Sequence, residues 1–93
     1  MDQEVNPELR RAVFSIVNNQ IRNNDPPETR QTFERLIADG RSRSEARRLI
    51  ATAVVVEIFD IMKHDKPFDK DRFLKNLARL PEEPWDDEDE DGR

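Results

Sequence analysis

The chain contains no cysteine, so it has no disulfide framework and no thiolate metal site. Glycine is almost as scarce: two residues, Gly40 and Gly92. That leaves no glycine-rich phosphate loop and no flexible glycine linker. There is one histidine, His64, and neither a G-x-S-x-G nor an H-E-x-x-H motif. Ser15, Ser42 and Ser44 have no His or Asp at a useful spacing for nucleophilic catalysis. These absences predict a protein that is not an enzyme and carries no cofactor. The longest apolar run, "LIATAVVVEIFDIM", spans 14 residues and holds Glu57 and Asp60. It is too short and too charged to cross a bilayer. The opening "MDQEVNPELRR" lacks an apolar segment after a basic one and so predicts no secretory signal. The expectation is a cytoplasmic protein without membrane contact.

What is present is charge. Charged residues make up 40% of the 93 and apolar residues 34%, a polar balance for a single compact domain. The distribution matters more than the total. Residues 82–93 hold eight acids and one base, which leaves 15 bases against 13 acids in residues 1–81. The formal charge of −5 therefore belongs to the C-terminal segment and not to the body. Residues 1–81 read as one helical domain. Residues 82–93, "EEPWDDEDEDGR", have no core-forming pattern and read as a disordered acidic tail with Trp85 as its apolar anchor.

Punctuation divides the body into four helices, an all-α bundle with a long third helix. Asn6 as cap and Pro7 at the first helical position open the first helix. Its apolar stripe is Leu9, Ala12, Val13, Ile16, Val17 and Ile21, with Phe14 at the edge. Asp25 as cap, Pro26, Pro27 and a capping box closed by Glu28 open the second. Its face is Phe33, Leu36 and Ile37, and Gly40 ends it. Ser42 and Glu45 form a capping box for the third helix, from Arg43 to about Lys63. Pro67 and the cap Asp69 precede a fourth, with Phe73, Leu74, Leu77 and Leu80 on its inner face and Pro81 beyond it.

The third helix carries the functional questions. Ala46, Leu49, Ile50 and Ala53 make one face of its first half, and the second half is apolar over more than half its circumference. A helix that is apolar nearly all round is buried nearly all round. Three short partners do not cover it, which predicts a homodimer. Within this surface Glu57, Asp60 and His64 sit on one side, a candidate functional polar stripe. With one histidine in the chain, no metal is assigned to it. A carboxylate among valines needs a partner, and Arg47 or an arginine of a neighbouring helix is the candidate.

The stretch "DPPETRQTFERLIADGRSRSEARRLIATAVVV" has the outline of a helix-turn-helix. Arg30, Arg35, Arg41, Arg43, Arg47 and Arg48 are opposed only by Glu34, Asp39 and Glu45. Arg41, Arg43, Arg47 and Arg48 surround the start of the third helix and are candidate anion or nucleic-acid contacts. Against this, the helix turns apolar after Arg48, and the patch is expected to have no nearby aromatic to stack a base and no Asn or Gln to read adenine. The expected function is therefore a non-catalytic interaction or assembly module. The alternative is a nucleic-acid-binding helix-turn-helix protein whose acidic tail modulates access.

Finally, Pro26, Pro27, Glu28, Arg35, Leu36, Gly40, Glu45, Ala46, Glu57, Ile58, Phe59, Phe68 and Asp69 form a pattern that resembles a family of small bacterial proteins of unknown function. The resemblance implies an all-helical bacterial protein and assigns no activity. Among these positions Glu57 has the least structural explanation.

Overall fold

The computed structural model describes residues 7–85, and they form an all-α bundle of four helices. The helices are α1 (Pro7–Asn23), α2 (Pro27–Ala38), α3 (Arg43–His64) and α4 (Lys70–Arg79). Asn6, the expected cap of α1, lies outside the described residues, as do residues 86–93 of the acidic tail. Residues 82–85 are described, and they belong to the body. Glu83 reaches Arg48, Glu82 pairs with Arg79, and Trp85 lines a groove with Val56, Arg72, Asn76 and Pro84.

Local chemistry accounts for most helix ends. Ser42 accepts from the Glu45 backbone N–H at 2.9 Å and opens α3, and Asp69 accepts from the Arg72 N–H at 3.1 Å and opens α4. Gly40, at φ 104°, closes α2. Its N–H reaches the Ile37 carbonyl while the Arg41 N–H reaches Leu36, the paired bonds of a Schellman motif. Asn24, at φ 55°, plays the same part after α1, with Asn24 N–H to Ile21 and Asp25 N–H to Gln20. The start of α2 departs from the expectation. Its cap residue is Pro26, in an extended conformation, with no side-chain cap bond, so Asp25 and Glu28 do not form a capping box. Prolines at the helix entry have no N–H to leave unpaired, which removes much of the need for one.

The core is centred on α3, which contacts each of the other three helices. Ala46, Leu49, Ile50 and Ala53 are fully buried, joined by Ala51, Thr52 and Val54, so the helix is buried continuously from Leu49 to Val54. Val13 and Val17 of α1, Phe33 and Leu36 of α2, and Phe73, Leu77 and Leu80 near α4 complete the cluster. On α1 the inner face is turned from the one expected. Phe14 packs against the core, while Ala12 and Ile16 face outward. On α2, Thr29 and Thr32 extend the buried face that Phe33 and Leu36 begin, and the Thr29 hydroxyl donates to Gln20 Oε1 of α1 at 2.9 Å. No helix among the described residues is long and apolar enough to cross a membrane.

Two substitutions test these ends separately. Ser42→Ala removes one cap bond and is expected to cost about 1 kcal/mol. Gly40→Ala meets no atom but must hold a positive φ, and is expected to cost about 1–2 kcal/mol. Each should lower the thermal midpoint by roughly 4–8 °C per kcal/mol, read by circular dichroism.

Candidate functional site

The polar stripe of α3 is built around an arginine from α4. Asp69 caps α4 and places Arg72 in its first turn, facing the second half of α3. Arg72 Nε donates to Glu57 Oε2 at 2.7 Å and Nη2 to Glu57 Oε1 at 3.1 Å, a two-pronged pairing. The same Nη2 donates to Asp60 Oδ2 at 3.0 Å. The Asp69 backbone N–H completes the set by donating to Glu57 Oε1 at 3.1 Å. Glu57 is thus bonded on both oxygens, and its side chain is only 3% exposed. Arg72 holds the Asp60 carboxyl below its ordinary range, mainly through the hydrogen bond, and both carboxylates raise the guanidinium further above its own.

This accounts for two of the three stripe residues. The third, His64, has its Nε2 4.0 Å from Asp60 Oδ1, and its side chain is 58% exposed. The stripe is therefore an ion-pair junction between α3 and α4 with His64 at its wet end. Among the described residues, no three His, Cys, Asp or Glu side chains form a group able to hold a metal. The arginine from a neighbouring helix is Arg72; Arg47 is not the partner of Glu57. The sequence carries one signal for this choice: Asp69 and Arg72 fall at the cap and third position of the helix that follows Pro67, on the turn that must face back toward α3.

The arginines of the turn divide by their surroundings. Arg30 and Arg35 point inward and cap neighbouring helices. Arg30 donates to the Ile21 and Arg22 carbonyls at the end of α1, and Arg35 to the Leu77 and Leu80 carbonyls at the end of α4. Arg48 forms a two-pronged pair with Glu45 at 2.8 and 3.0 Å and reaches Glu83 at 3.4 Å, and Arg41 approaches Glu45 at 3.9 Å. The Glu45 carboxyl is held below its ordinary range, first by the Arg48 hydrogen bond. Arg47 Nε donates to Asn18 Oδ1 of α1 at 2.9 Å.

Folding also brings aromatics to this surface, contrary to the reading of the sequence alone. Arg43 and Arg47 lie over the Phe33 ring of α2, 5.5 and 5.2 Å from its centroid, and Arg10 lies over Phe14 at 5.2 Å. Sequence distance hid the Phe33 contacts, because Phe33 belongs to α2, whereas Arg10 and Phe14 lie four residues apart on α1. Arg10, Phe14, Ser44, Arg47 and Arg48 line an open groove of about 290 Å³ between α1 and the start of α3.

Beyond the polar stripe, α3 exposes its other side. Val55, Ile58, Phe59 and Met62 recur at helical spacing opposite Glu57, Asp60 and His64. Val55 and Ile58 pack partly on the core, whereas Phe59 is 50% and Met62 71% exposed. Ile61 and Phe68 are also exposed. Among the described residues, the second half of α3 is left partly uncovered by the other three helices, as its apolar circumference predicts.

Removing Arg72 leaves Glu57 buried without its cation. Arg72→Ala is therefore expected to cost about 3 kcal/mol in urea unfolding, while Glu57→Met with Arg72→Met recovers most of the loss. Acid tests the same junction. The Asp60 pKa is lowered in the folded state, so its contribution is complete above the ordinary value of about 3.9 and is lost as pH falls below it. Wild type should lose stability more steeply than Asp60→Asn as pH falls below about 4.

Comparison of the chain with protein-family models, curated protein sequences and solved structures gives no match.

Proposed function

We propose that this protein is a non-catalytic assembly module that pairs with a second copy of itself through the outer face of the second half of α3. The observation that carries this reading is the exposure of Phe59 and Met62 on one helical face with Val55 and Ile58. A contiguous apolar face bordered by Lys63 is the kind of surface that association removes from water. An α-helical stripe of this length is self-complementary when two copies pack antiparallel about a two-fold axis, the commonest symmetry of small oligomers. On the opposite side, the Arg72 junction holds α3 firmly to α4, so the face is presented on a rigid element.

The helix-turn-helix reading draws support from Arg43 and Arg47 stacked on Phe33. It is weakened because Arg41 and Arg48 are engaged by Glu45, and because α3 is buried from Leu49 to Val54 and offers no continuous polar face to a groove.

Light scattering should give twice the 11.0 kDa chain mass. Phe59→Asp combined with Met62→Asp should return the mass to one chain with an unchanged helical spectrum, because both side chains face water in the isolated chain. A mass of one chain for wild type at every concentration overturns the reading.

A further inference from the structure

The open groove between α1 and the start of α3 is lined mostly by cations: Arg10, Arg47 and Arg48, with Phe14 and Ser44. Arg48 is paired with Glu45 and reaches Glu83. Arg10 and Arg47 have no carboxylate at ion-pair distance among the described residues. Each is nonetheless held in place. Arg10 lies over the Phe14 ring of its own helix, 5.2 Å from the centroid. Arg47 lies over Phe33 at 5.2 Å and donates from Nε to Asn18 Oδ1, which leaves its terminal nitrogens without a protein acceptor among the described residues. A guanidinium fixed by stacking loses little freedom when an anion arrives.

We propose that this groove binds a small phosphomonoester, its phosphate held by Arg10, Arg47 and the first turn of α3. Charge is the first argument. Guanidinium groups from two helices, neither of them neutralised, line one groove, and a phosphomonoester brings a charge of about −2 at pH 7. The second argument is the supply of donors. A planar guanidinium presents paired N–H groups that match the edge of a phosphate. Ser44 adds a hydroxyl. The Ser42 side chain and carbonyl take the N–H groups of Glu45 and Ala46, so those of Arg43 and Ser44 are left at the helix start, where an anion is favoured. This set suits the three terminal oxygens of a monoester better than the two free oxygens of a diester. The third argument is size. The groove, about 290 Å³, is close to the lower end of the range for small-ligand pockets, roughly 300–1,000 Å³. Beyond Arg48, α3 is buried from Leu49 to Val54 and offers no further cation along which a polymer backbone could run. The site uses a different face from Phe59 and Met62 and does not rest on self-pairing.

The test uses the full chain labelled with ¹⁵N and methyl phosphate as the probe, at roughly 0.01 M ionic strength, where the screening length is about 30 Å. The Arg43 and Ser44 amide signals and the Arg10 and Arg47 Nε–H signals should shift together and saturate, with a dissociation constant on the order of 1 mM. Dimethyl phosphate, with one charge fewer, should bind at least roughly tenfold more weakly. Arg10→Gln and Arg47→Gln should each weaken methyl phosphate by about tenfold, whereas Lys70→Gln at the start of α4 should leave it unchanged. Arg10 is exposed, so its variant alters the groove without disturbing the core. Shifts that never saturate, shifts centred on Lys66 or Lys70, equal binding of the two esters, or wild-type affinity in Arg10→Gln would each overturn the proposal. So would an unphosphorylated single-stranded oligonucleotide or a phosphoserine peptide that moved the same signals more than about tenfold more tightly than methyl phosphate, since the site would then belong to a macromolecule.

Discussion

A carboxylate set among valines and isoleucines must find a cation where it lies or lose its charge, and Glu57 finds Arg72. The consequences run through the lower half of the molecule. Both prongs of the guanidinium go to Glu57, one nitrogen is shared with Asp60, and the Asp69 N–H binds the same carboxylate. The cap of α4, its first turn and the second half of α3 are thereby tied into one junction. With α4 on that side of α3, no further helix among the described residues covers the opposite side of its second half.

The protein is short of helices relative to the apolar surface of α3. The first half is the more deeply buried, and its small residues, Ala46, Ala51 and Ala53, allow neighbouring helices to approach closely. In the second half the partners run out, and larger side chains such as Phe59 and Met62 reach water. Ile16, Phe68 and Trp85 are also exposed, but Phe59, Ile61 and Met62 gather three large apolar side chains within one turn of α3, and assembly through that end is the reading we propose.

The arginines of the turn show how a sequence pattern can divide on folding. Six look alike along the chain. Two turn inward and close the carbonyl ends of α1 and α4, a role that ties α2 to both neighbours. Two share Glu45, and Arg48 also reaches Glu83. Arg43 and Arg47 lie over Phe33 and keep their charge outward. Among the described residues this last pair, like Arg10, has an aromatic ring beside it.

The sequence by itself determined the four helices and most of their ends, because Ser42, Asp69, Gly40 and the prolines act on backbone groups within a few residues of themselves. It also determined the buried face of the first half of α3, where helical spacing alone selects Ala46, Leu49, Ile50 and Ala53. It misled at the start of α2, where two prolines make a side-chain cap unnecessary, and on α1, where small rotations of the helix decide between Phe14 and Ile16. Only the tertiary structure decided which cation meets Glu57, which arginines cap helices, which aromatics lie beneath Arg43 and Arg47, and which side of α3 stays exposed. Those are contacts between helices distant along the chain. They depend on how the helices are rotated and packed against one another, which periodicity within one helix does not encode.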